Sequence, residues 1–160
     1  ALHIATHATG KITLFFCAGA IYVTTHFTQI SELDGIGRRM PWTMGAFFVA
    51  SLSLIGVPPL GGTWSKWYLA LGALEGGHWG YLLVLMLSSL LSVGYLMPIV
   101  RRAFFAEAPS SSGPHHTADS TARGEAPLLC VIPLCFTALL SVALFFWGET
   151  FLLLARALVP

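Results

Sequence analysis

Both lysines of the chain, Lys11 and Lys66, sit inside apolar segments, while all six arginines stand in polar loops or flanks. An ionisable side chain at membrane depth costs at least a few kcal/mol and usually faces a bundle interior or a wet path. Arginine stays charged under all ordinary conditions, whereas a lysine's proton affinity moves readily with burial, so lysine can take up and release a proton. The cation kept inside is therefore the titratable one. His3, His7 and Lys11 follow at i, i+4 and i+8. On a 3.6-residue helix they share one face about 80° wide and rise along about 12 Å. Histidine titrates near neutral pH and can donate on one ring nitrogen while accepting on the other. A stacked His–His–Lys face has the chemistry of a proton wire. Blander readings compete with it. His3 could sit at the outer interface, Lys11 could snorkel, and Lys66 could serve only as a cap for helix carbonyls. A metal site at His3 and His7 lacks a carboxylate or third histidine in a neighbouring span.

The elements that hold these groups are membrane helices. Of the 160 residues, 56% are hydrophobic and 9% charged, against roughly 25% charged in soluble domains, and the mean hydropathy is +0.76. The net charge of +1 points to no partner class. A span needs about 20 mostly apolar residues. Residues 1–24, 79–100 and 127–147 qualify, and 25–41 form a polar loop. Residues 106–126, rich in Ser, Pro, Gly and His, read as a flexible linker, followed by the last span and a tail to 160. The segments 42–57 and 62–74 are each short, roughly 24 and 20 Å. They are two short spans or two halves of one interrupted element, 42–74.

The arginines decide between these. A single crossing by 42–74 puts the stretches 25–41 and 101–126 on one side, with five arginines, and leaves only Arg156 on the other; two crossings split them three and three. Cytoplasmic flanks carry the Lys/Arg excess. The expectation is an all-α polytopic membrane protein with four membrane-crossing elements, the second a broken helix, and with 25–41 and 101–126 in the cytoplasm. Non-helical backbone at membrane depth needs protein or a water-filled cavity to satisfy it, and half-helices meeting near the midplane build ion sites in transporters. Pro58 and Pro59 withhold amide donors, Gly56, Gly61 and Gly62 allow the turn, and Thr63 and Ser65 add hydroxyls beside Lys66.

The remaining polar groups carry less. Cys17, Cys130 and Cys135 show no disulfide or zinc pattern and read as core residues. His26, His78, His115 and His116 read as solvated loop residues, Glu149 as interfacial. The chain opens without Met, inside a helical pattern and without a signal-peptide n-region, as expected of a fragment or a short relative of something longer.

Three motifs, His3-x3-His7-x3-Lys11-x2-Leu14-Phe15-Phe16, then Gly35-Ile36-Gly37-Arg38-Arg39-Met40-Pro41, then Gly56-Val57-Pro58-Pro59-x-Gly61-Gly62-Thr63-Trp64-Ser65-Lys66-Trp67, give the chain a family likeness. It resembles the antiporter-like proton-translocating subunits shared by respiratory complex I and Mrp-type sodium/proton antiporters, over about residues 1–105. The resemblance implies the last four of about fourteen spans, with 42–74 as the interrupted twelfth. It implies that Lys66 is a proton carrier at the end of the second half-channel, fed by a hydrophilic axis at His3, His7 and Lys11. A lysine rather than a glutamate at position 66 favours the Mrp D-type subunit or its complex I relatives. The family's first repeat, with its glutamate–lysine pair, has no counterpart in this chain.

The expected function is thus that of a proton-translocating part of a multi-subunit cation/proton antiporter, with protons moving through Lys11, Lys66, His3 and His7, and with Pro58, Pro59, Gly61, Gly62, Thr63 and Ser65 supporting the break. The alternative is a proton-pumping subunit of a complex I-type NADH:quinone oxidoreductase. An alternative of another class is a non-conducting structural or assembly subunit. No catalytic centre, cofactor or metal is expected. The expected partners are other membrane subunits, including whatever supplies the first repeat, together with lipid and protons, with sodium as a candidate second ion, and no nucleic acid. The expected location is a bacterial inner membrane.

Overall fold

Helices account for nearly all of the residues that the computed structural model describes, 2–106, 124–148 and 150, and no strand occurs among them. They are α1 (Leu2–Thr25), α2 (Ile36–Arg39), α3 (Pro41–Ile55), α4 (Gly61–Glu75), α5 (Trp79–Phe105) and α6 (Leu128–Phe146), with a 3-10 turn at Ile30–Leu33. Three of them, α1, α5 and α6, are long and apolar enough to cross a membrane. The sequence's 42–74 element is two helices of 15 residues each, α3 and α4, joined by 56–60. The centre of the expected linker, with His115, His116 and Arg123, lies outside the described residues, as do Glu149 and most of the tail.

The threonine hydroxyls inside α1 are satisfied locally. The hydroxyls of Thr9, Thr13, Thr24 and Thr25 donate to carbonyls four residues back at 2.8–3.1 Å, which removes their cost in apolar surroundings. Thr13 Oγ1 also lies 2.8 Å from Thr137 Oγ1 of α6, a hydroxyl contact across the bundle.

α3 is the central element. Pro41 occupies its first turn, where a missing amide hydrogen costs nothing, and eight of its 15 residues are buried. α1, α4, α5 and α6 all pack on it. The core runs from Cys17 and Ile21 of α1 through Met40, Met44 and Phe47 to Leu96 and Val100 of α5 and Leu134 of α6. Cys17 is wholly buried and its thiol donates to the Thr43 carbonyl at 3.4 Å. By contrast α5 shows most of its apolar surface, with Leu83 and Leu90 about two-thirds exposed at 65% and 67%. Such a face belongs against lipid or another membrane subunit.

The expected polar loop 25–41 is more ordered than its composition suggests. Ile36, Gly37 and Met40 are buried, and the segment closes on the end of α5. The Gly35 amide donates to the Arg102 carbonyl at 3.2 Å, and the Asp34 carboxylate lies 3.8 Å from the Arg102 guanidinium. A Cβ at Gly37 would stand 2.8 Å from the Ala103 carbonyl oxygen and 2.9 Å from the Phe104 ring. Because backbone cannot yield as a side chain can, Gly37→Ala is expected to cost about 1–3 kcal/mol. The check is the thermal midpoint of the protein in detergent. An unchanged midpoint would mean that residues 35–40 do not dock on α5.

Candidate functional site

A helix leaves its last carbonyls without intrahelical partners. α3 ends at Gly56, which takes the left-handed φ of 93° and returns its amide to the Leu52 carbonyl at 2.9 Å. The chain then passes through Pro58 and Pro59, joined by a cis peptide bond, and restarts as α4 at Gly61. The carbonyls of Leu54 and Ile55 are left over. Lys66, in the second turn of α4, reaches back to them: its ammonium donates to Leu54 O at 2.7 Å, to Ile55 O at 2.9 Å and to Ser89 Oγ of α5 at 2.7 Å. Ser89 passes its own proton to the Leu85 carbonyl at 3.0 Å. All three hydrogens of the ammonium are used, and positive charge is favoured at a helix C-terminus.

Two glycines make room for this. A Cβ at Gly56 would lie 2.9 Å from Lys66 Cδ, so the lysine stem runs along bare backbone. At Gly62 the first turn of α4 rests directly on the last turn of α3, and a Cβ would overlap the Ser53 carbonyl oxygen. Gly61 sits where α1, α4 and α6 meet, with Thr6 and Leu144 against it.

The histidines of α1 complete the site. The Ser65 hydroxyl donates to the Gly62 carbonyl at 2.9 Å, and His3 Nδ1 lies 3.2 Å from Ser65 Oγ. A serine has one proton to give. While Gly62 holds it, Nδ1–H of His3 is the donor to Ser65, and Nε2 is left to accept. The rings of His3 and His7 stack with centroids 5.4 Å apart. A cavity of about 10 Å³ lies between His3, Thr6, His7, Ser53, Ser65 and Lys66, enough for about one water. Ser53 is buried, and its hydroxyl has no partner among the described residues.

His3, His7, Ser65 and Lys66 are therefore brought together. Lys11 is not: it is exposed, lines no part of this cavity and makes no hydrogen bond or ion pair among the described residues. Pro58 and Pro59 are exposed on the connection, and the Thr63 hydroxyl is buried without a partner among the described residues. The contacts of Lys66 match the capping role that competed with a transport role. Two residues escaped the sequence reading, Ser53 and Ser89. Their only signal was a hydroxyl in the middle of an apolar run.

The family described as NADH:quinone oxidoreductase/Mrp antiporter, transmembrane, matches residues 1–92. A protein named NADH-quinone oxidoreductase subunit N from Desulforudis audaxviator (strain MP104C) is 45% identical over 108 residues, 68% of this chain and 22% of that one. A D-type Na(+)/H(+) antiporter subunit from Alkalihalophilus pseudofirmus is 34% identical over 105 residues, 66% of this chain and 21% of that one. The chain thus spans about a fifth of the length of these curated relatives. Among solved structures, a chain of respiratory complex I from Thermus thermophilus superposes with a TM-score of 0.64, covering 93% of this chain and 33% of that one, at 23% identity. That likeness is one of fold.

Proposed function

The chain belongs to the NADH:quinone oxidoreductase/Mrp antiporter transmembrane family, and from that membership we propose that it is a proton-translocating part of a multi-subunit membrane complex, with Lys66 as carrier. The observation that carries this reading is the Lys66 ammonium at the α3–α4 junction, on a cavity it shares with His3 and His7. A merely structural cap has no need of two imidazoles beside it.

In this reading α3 and α4 form one interrupted crossing, so that four elements cross the membrane. The stretches 25–41 and 101–126 face the cytoplasm of a bacterial inner membrane, in line with the arginine bias. Residues 1–105 are the end of an antiporter-like domain, and α6 with the tail is a last crossing joined through 106–126. Its partners are other membrane subunits of the complex, together with whatever supplies the family's first repeat.

The chemistry follows from the contacts. Protonated Lys66 uses Ser89 as an acceptor. Once the proton leaves, the neutral amine has a lone pair, and the Ser89 hydroxyl can turn from the Leu85 carbonyl and donate to it. The released proton has an acceptor at Nε2 of His3 or on His7, one water away. Lys11, one turn below His7 on the same helix, feeds the axis from the exposed side, with its counter-charge on another part of the complex.

The redox-linked setting, a complex I-type subunit, is supported to the same degree by the 45% identity with a protein named subunit N. A non-conducting scaffold is the reading of another class. Proton uptake by proteoliposomes holding the full complex under an imposed potential separates them, with flux normalised to assembled complex. Lys66→Ala and Lys11→Ala are both expected to abolish flux. Flux that persists in both would leave the scaffold.

A further inference from the structure

The carboxylate of Glu125, just before α6, is seated on the first turn of α3. Oε2 accepts from the Trp42 amide at 3.3 Å; Oε1 accepts from the Thr43 amide at 3.2 Å and the Thr43 hydroxyl at 2.7 Å. Those amides are among the donors a helix leaves unpartnered at its start, where negative charge is favoured. The carbonyls at the other end of α3 are held by the Lys66 ammonium. A helix of 15 residues, about 22 Å long, thus lies between a carboxylate and an ammonium, and neither charge is its own. α6 joins both ends. Its entry carries Glu125, and further along the Ser141 carbonyl and Leu144 pack against Gly61, where α4 begins; a Cβ there would stand 3.2 and 3.0 Å from them.

We propose that Glu125 is a positioning residue for Lys66: it fixes the start of α3 with a negative charge, and so holds the far carbonyl end in place and favours the protonated form of Lys66 across the helix. The inference rests on Lys66 being a proton carrier. Few other groups compete. α3 has no titratable side chain. Lys66 is faced by His3 and His7 from α1, with the exposed Lys11 one turn beyond His7, and by the neutral Ser89 from α5. Its own helix adds Tyr68 and Glu75, and the described part of α6 adds Cys130 and Cys135. Cys135 of α6 lies near Glu125 and near Cys17 of α1, and Arg38 and Arg39 of α2 are exposed. Arg101 and Arg102 close the far end of α5.

The test is the pH profile of proton flux in proteoliposomes carrying the full complex, for wild type, Lys66→Ala and Glu125→Gln. Glutamine keeps one of the two acceptor oxygens and loses the charge. One charge across about 22 Å at an effective dielectric of about 20 corresponds to about half a pH unit. Glu125→Gln is expected to lower the midpoint of the Lys66-dependent flux by that amount, and Glu125→Asp, which restores the charge, to return it. A role in folding alone would lower the amplitude and leave the midpoint in place. An unmoved midpoint in Glu125→Gln, with Lys66→Ala inactive, overturns the inference and spares the carrier reading. Full flux in Lys66→Ala overturns both. If Glu125→Gln does not assemble, Trp42→Glu decides. Trp42 is 67% exposed in the same turn, and the added charge there is expected to raise the midpoint by about half a unit; no movement overturns the inference.

Discussion

Gly62→Ala is expected to cost about 3 kcal/mol or more, at or beyond the upper end for overpacked sites, and to leave little assembled protein in the membrane. The added carbon has nowhere to go, because it would overlap the Ser53 carbonyl oxygen. That oxygen belongs to the backbone of a buried helix end and cannot swing aside. Relief requires α4 to lift off α3. The same movement carries Lys66 away from Leu54 O and Ile55 O, and leaves two carbonyls without their donor. Gly61→Ala meets mainly a methyl, a methylene and one carbonyl at 3.0–3.2 Å, so it is expected to be the milder change. Membrane yield and the thermal midpoint of the two variants side by side are the check. Equal behaviour at positions 61 and 62 would mean that α3 and α4 do not meet through Gly62.

Much of this was legible from the sequence, because its physics is one-dimensional. Apolar run length marked α1, α5 and α6, and the Pro58-Pro59 and Gly61-Gly62 pairs marked the connection between α3 and α4. The i, i+4, i+8 spacing placed His3, His7 and Lys11 on one face of α1. Spacing cannot say where along that face another helix crosses. α4 meets α1 around His3, through Ser65, so two members of the row line the cavity and Lys11 lies beyond it. Serines are harder still. Ser51 and Ser92 give their protons to carbonyls of their own helices, as hydroxyls in apolar helices commonly do. Ser53 and Ser89 look identical in sequence, and only the packing of α3, α4 and α5 singles them out. Glu125 sits in a polar stretch whose composition suggests solvent, and its grip on the α3 amides is a contact 82 residues long in sequence.

Lys66→Arg is the substitution that separates a cap from a carrier. All the hydrogen bonds that Lys66 makes among the described residues are donations to oxygen, and a guanidinium offers five donors and a permanent charge at the same helix end. Lys66→Ala removes the donors as well as the proton, so its loss of flux is mixed with the cost of two unpaired carbonyls, about 1–3 kcal/mol each. Arginine keeps the carbonyls satisfied and withholds only the exchangeable proton. Assembly close to wild type is therefore expected, together with a fall in proton flux on the order of a hundredfold or more, the scale on which removing a positioned proton-transfer group acts. The fall should appear at every pH, since no accessible pH returns a neutral guanidine. Flux within a few-fold of wild type in Lys66→Arg would assign Lys66 to the helix break alone, and the proton would then have to pass through His3 and His7 without it.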